Sequence, residues 1–162
     1  MKIIKAIALG AMVSLVLTGI VAAQSEGNGQ MDRTNAHLRI LTDSKVAFRI
    51  GDRSFTVTLY DNPTANDLLE KLPLTVQAGN YPGYDEKVIR LREPLSMEGA
   101  PEGDNPEIPE VGYYEPGNWI ALYYGPIGYW PGKVPLGRID ASVDELAAIS
   151  DGAAVTIEAL TN

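Results

Sequence analysis

The chain has 162 residues, a net charge of −8 and no cysteine. That length predicts one domain, and the missing thiols exclude disulfide cross-links, thiolate metal sites and Cys-His catalysis. An acidic surface repels phosphate backbones, so no nucleic-acid partner is expected. The lone histidine, His37, excludes a multi-histidine metal centre and leaves Ser-His-Asp chemistry a single possible base.

At the N-terminus, Lys2 and Lys5 precede an uncharged, mostly apolar run from Ala6 to Val21, and Val21-Ala22-Ala23 supplies short side chains at the cleavage position. This pattern predicts a signal peptide over residues 1–23. The rival, an uncleaved membrane anchor, is opposed by the shortness of the run and by Gly10, Ser14, Thr18 and Gly19 within it. No cysteine follows to take a lipid. Cleavage removes two lysines and no acid and so moves the net charge from −8 to −10. The expected product is exported, periplasmic or secreted, with no membrane partner after cleavage. Residues 24–36 are polar and glycine-bearing, which predicts a flexible leader before a domain over residues 37–162.

The first clear element is a hairpin, Lys45 to Ile50 and Arg53 to Leu59 around Gly51-Asp52, with Phe48 opposite Phe55 and Val46 opposite Val57 on one apolar face. A helix of about ten residues follows. Asn62 caps it, Pro63 suits its first position, Ala65, Leu68, Leu69 and Leu72 share a face, and Pro73 stops it. Leu74 to Ala78 and Val88 to Leu91 are short strands. Glu93 to Gly117 holds seven acids, five prolines and no base; it reads as a long, solvated surface loop with a possible strand at Val111 to Tyr114. Its acids lack the spacing of a calcium loop, and no glycine loop cradles a phosphate, so neither metal nor cofactor is expected.

Trp119 to Tyr124 is apolar on both faces, which demands cover on both sides. Val134 to Ile139 is a strand in which Pro135 predicts an edge or a bulge. A second helix starts at Ser142 with Glu145 three residues on, a capping box, and Gly152 is expected to end it. Ala154 to Ala159 closes the chain as an alternating strand.

These elements carry the runs Asp61-Asn62-Pro63-Thr64-Ala65, Leu72-Pro73-Leu74-Thr75, Gly112-Tyr113-Tyr114, Trp119 to Gly125 and Pro135-Leu136-Gly137-Arg138-Ile139 in that order. Together they resemble the bacterial cyclophilin-like domain family over roughly Lys45 to Ala159. The resemblance implies a mainly β fold: a closed antiparallel barrel capped by two short helices, which the strand count reaches only if the acidic segment contributes pairing. It does not imply prolyl isomerisation, because the Phe-His-Arg and Gln-Gly-Gly-Asp runs of true cyclophilins are both missing.

The positive functional signal is aromatic. All but one of the tyrosines and tryptophans fall between Tyr81 and Trp130, and such rings stack on sugars, grip proline or present hydroxyls. Core packing is the competing use, and Ile120, Leu122 and Tyr124, which share a face, are assigned to it. The candidate ligand-binding residues are Tyr81, Tyr84, Glu86, Arg90, Tyr113, Tyr114, Trp119, Tyr129 and Trp130. Arg90 or Arg92 would bind a carbonyl or carboxylate with Asp85 or Glu86 as partner. The reading is a non-catalytic, extracytoplasmic domain binding a small molecule or extended peptide. Its alternatives are a divergent prolyl isomerase using Arg90 or Arg92 and, further off, a carbohydrate-active protein.

Overall fold

The computed structural model describes residues 35–161; the expected signal peptide, and the expected leader up to residue 34, lie outside the described residues. Among the described residues from Leu41 onward, ten strands and two α-helices succeed one another in the order β1 (Leu41–Ile50), β2 (Arg53–Tyr60), α1 (Pro63–Glu70), β3 (Leu74–Asn80), β4 (Glu86–Arg90), β5 (Gly103–Asp104), β6 (Glu110–Tyr114), β7 (Trp119–Tyr123), β8 (Trp130–Pro131), β9 (Lys133–Ile139), α2 (Val143–Ala147) and β10 (Ala154–Leu160), with a short 3-10 helix (Glu115–Gly117) between β6 and β7. Eight strands close an antiparallel barrel in the order β1-β10-β3-β4-β7-β6-β9-β2, and β5 pairs with β8 outside it.

The hairpin has the expected register, Phe48 opposite Phe55 and Val46 opposite Val57, and all four side chains enter the barrel core. Gly51 turns the chain with a φ of +60°, which a side chain would resist. β1 begins at Leu41, four residues before the expected start, with an irregularity between Leu41 and Lys45. In α1 the Asn62 side chain accepts from the Ala65 N–H at 2.9 Å and donates to the Pro135 carbonyl at 2.9 Å. The cap thereby also ties the helix to β9.

The acidic segment is corrected most. The strand expected at Val111 to Tyr114 is present as β6 (Glu110–Tyr114), which lies between β7 and β9 and completes the barrel; what is corrected is its surroundings. Asp104 and Glu110, expected in solvent, are 2% and 1% exposed. Their charges are met by Arg39, whose guanidinium donates to Asp104 at 2.7 Å and to Glu110 at 2.8 and 2.9 Å; the Tyr60 hydroxyl adds 2.9 Å to Glu110. Burial disfavours the Arg39 charge, but these two carboxylates outweigh it and push the guanidinium up. Asn35 joins the group by donating to Asp104 at 2.9 Å.

Pro135 sits at a bulge, where the β6–β9 register passes from Val111–Gly137 to Gly112–Pro135. Gly137 passes close to β2: a Cβ there would lie 2.6 Å from the Thr58 carbonyl. The capping box of α2 is present, yet the helix stops at Ala147. Gly152 does not end it as expected. It lies in the succeeding turn with a φ of +77°, leading into β10.

Candidate functional site

Strand alternation divides β7. Ile120 and Leu122 point into the barrel core, and Trp119, Ala121 and Tyr123 form a second buried cluster with Val88 on the other face. Tyr81, Ile108, Tyr114 and Ile127 pack over that cluster, so the strand has the double cover its composition demands. Tyr124 packs at the margin of the core.

On this outer face five rings form a closed circuit. Tyr81 stacks on Tyr84 with centroids 5.4 Å apart, and Tyr84 meets Trp130 edge-on at 4.9 Å. Trp130 meets Tyr114 at 5.5 Å, Tyr114 tilts on Trp119 at 4.9 Å, and Trp119 returns to Tyr81 at 5.1 Å. These separations and tilts are the favoured ones for ring quadrupoles. Residues from four separate stretches of chain thus meet because β4, β7 and β6 are neighbours in the barrel. Tyr84 is 40% exposed and forms the accessible rim.

Beside the rings lies a buried ion pair. Lys133 Nζ is 3.5 Å from Glu86 Oε2, both side chains being almost fully enclosed. The ammonium also lies 4.7 Å from the ring centroids of Tyr123 and Trp130 and 5.8 Å from that of Tyr114, so aromatic faces supply much of its compensation. Burial pushes the Glu86 carboxyl up and the Lys133 ammonium down, each opposed by the other's charge. Burial and the nearby Glu86 charge push the Tyr123 phenol well up, which keeps it neutral. Among the described residues Glu86 Oε1, Trp119 Nε1 and Tyr123 OH are buried without a hydrogen-bond partner.

Of the nine candidate residues, Tyr81, Tyr84, Tyr114, Trp119 and Trp130 form the circuit, and Arg90 joins its edge with its guanidinium 4.7 Å from the Trp119 ring. Glu86 belongs to the site but not in the expected role: it is a strand residue paired with Lys133, not a loop acid paired with Arg90. Tyr129 is exposed, its ring close to Gly103 beside β5. Tyr113 is not brought to the site. It lies inside the barrel core, where its hydroxyl donates to Asn118 at 3.0 Å and accepts from the Leu95 N–H at 3.2 Å. Lys133 and Tyr123 were the residues to find. Counting by twos along Lys133, Pro135 and Gly137 places Lys133 on the outer face, but no sequence rule pairs it with Glu86.

Two adjoining clefts, of about 500 and 580 Å³, share Thr75, Val76 and Arg92, and Arg90 lines the second. A family model described as the cyclophilin-like family matches residues 48–158. No curated protein matches the chain.

Proposed function

The chain belongs to the cyclophilin-like family, and on that premise we propose that it is an extracytoplasmic binding protein. It holds a small molecule or an extended peptide at the aromatic outer face of its barrel and catalyses no reaction. The observation that carries this reading is the closed circuit of Tyr81, Tyr84, Trp130, Tyr114 and Trp119, with Tyr84 exposed and the Glu86–Lys133 pair buried beside it. Rings held in fixed orientation, with Tyr84 exposed at the rim, offer contact area at little entropic cost.

Trp119 and Trp130 are the only two tryptophans of the chain, and both belong to the circuit, so intrinsic fluorescence reads the site directly. Titration with a panel of oligosaccharides and proline-containing peptides is expected to give one class that shifts the emission and raises the melting temperature together. Tyr84→Ala removes both effects while leaving the unliganded melting temperature nearly unchanged. A ligand that raises the melting temperature of Tyr84→Ala as much as that of the parent protein places binding elsewhere.

One observation favours a second reading, prolyl isomerisation: the Arg90 guanidinium lies over Trp119 on the exposed side of the face, where it would polarise a proline carbonyl. An isomerisation assay decides it. Acceleration that vanishes in Arg90→Ala supports catalysis, and none at high protein concentration removes it.

A further inference from the structure

β3 (Leu74–Asn80) pairs with β10 through its first half and with β4 only through its second half. Leu74 to Gln77 lie against β10, whereas pairing with β4 begins only at Ala78–Ile89 and runs through Gly79 and Asn80. The cause lies in the path of the chain beyond β4. The Leu91 N–H donates to the Asn118 carbonyl at 2.9 Å, and the Leu91 carbonyl accepts from the Asn118 side chain at 3.0 Å, so the chain is drawn toward β7 and away from β3. Pro94 offers no donor. The Leu95 N–H is taken by the Tyr113 hydroxyl at 3.2 Å and the Ser96 N–H by Asp67 at 2.7 Å. The edge of β3 from Leu74 to Gln77 is thereby left without a neighbouring strand among the described residues.

The two clefts lie along this edge, each mixing apolar and charged side chains, with Val76 and Arg92 common to both. The first is lined by Leu74, Val76, Leu91 and Leu95 together with Lys71, Arg92 and Glu93, and Leu74, Val76 and Leu91 pack on the margin of the barrel core. The second carries Thr75, Gln77, Arg90 and Arg92, all four exposed. A strand sends successive side chains to opposite faces, so a chain laid along this edge would offer one alternate set to the apolar side chains and the other to the arginines. Arg90 and Arg92 take part in no ion pair among the described residues, on a protein whose net charge is −8. Glu93 is the one acid among the lining residues of the two clefts.

We propose that the open edge of β3 between Leu74 and Gln77 takes an extended peptide of alternating apolar and acidic residues as an added strand. Main-chain hydrogen bonds to β3 provide the hold, Leu74, Val76 and Leu91 select one set of side chains, and Arg90 and Arg92 select carboxylates in the other. A second copy docked through the same edge would bring the two arginine pairs together, which like-charge repulsion opposes.

The test uses the full chain and three fluorescent octapeptides: alternating valine and glutamate, alternating valine and lysine, and the valine–glutamate peptide with alternate backbone nitrogens methylated. Fluorescence anisotropy is expected to show saturable binding of the first, at least about tenfold weaker binding of the second, and none of the third. Arg92→Glu changes an exposed residue outside the ring circuit, and it weakens the preference for the first peptide over the second. Amide hydrogen exchange at Thr75 and Gln77, whose N–H groups face away from β10, slows when the valine–glutamate peptide is present. The proposal is overturned if no peptide saturates, if methylation leaves binding intact, or if the peptide-free protein self-associates with protection of these same amides. Neither tryptophan lines the clefts, so failure of the peptides to bind the parent protein leaves the proposed binding at the aromatic face standing, with Arg90 the one residue that borders both surfaces.

Discussion

Lys133 and Glu86 are two charges withdrawn from water with only a 3.5 Å contact between them. The rings of Tyr123 and Trp130 make this tolerable for the ammonium, since a π face attracts a cation while excluding water. Nothing comparable serves the carboxylate, whose second oxygen has no partner among the described residues. Removing the lysine alone is therefore the damaging change. Lys133→Met is expected to cost about 3–5 kcal/mol in urea unfolding, and more at alkaline than at mildly acidic pH, because Glu86 can take up a proton when its partner is gone. Lys133→Met/Glu86→Gln should be less destabilised than Lys133→Met. A double variant as unstable as the sum of the singles would show that the two groups do not interact.

At the scale of elements, the positions of α1 and β9 depend on one side chain. Asn62 both caps the helix and reaches the Pro135 carbonyl at the bulge of β9. Asn62→Ala removes the cap and leaves a buried carbonyl unpaired, an expected loss of about 2–3 kcal/mol. Asn62→Ser keeps the cap acceptor but cannot reach Pro135, and chemical denaturation should place it between the two. Equal losses for serine and alanine would mean that the Pro135 bond contributes and the cap does not. The short cross-strand pair of β5 and β8 is set by a similar tether: Asp104 is bonded to Arg39, which also holds Glu110 at the start of β6.

Across the molecule, buried carboxyls make stability depend on pH. Burial pushes Glu86 and Glu110 up, offset only in part by Lys133 and Arg39 respectively. With folded values above unfolded ones, their contribution is complete below the ordinary glutamate value of about 4.3 and is lost as pH rises through the raised values. Asp67, which burial alone would raise but which its bonds to Lys71 and the Ser96 N–H lower, acts in the other direction and loses its contribution as pH falls. Lys133, pushed down by burial, adds stability only as pH rises toward the ordinary lysine value. The net expectation is a higher melting temperature at about pH 5 than at about pH 7.5, with a smaller difference in Glu86→Gln/Glu110→Gln. A parent protein that melts higher at the upper pH contradicts the assignment.

Local pattern sufficed for elements whose stabilising contacts are near in sequence. The Phe48–Phe55 register, the Asn62 and Ser142 caps, the bulge at Pro135 and the family resemblance were all legible, because period, turn length and capping chemistry act over a few residues. The acidic segment was misjudged for the opposite reason. Charge density reads as solvent unless a distant cation answers it, and Arg39 lies 65 and 71 positions from Asp104 and Glu110. The same holds for Lys133 and Glu86, 47 positions apart, and for the ring circuit, which exists because β4, β7 and β6 are adjacent in the closed barrel. Composition determined that aromatic rings were plentiful in mid-chain; barrel closure decided that Trp119 would face outward to join the circuit while Tyr113 turned inward.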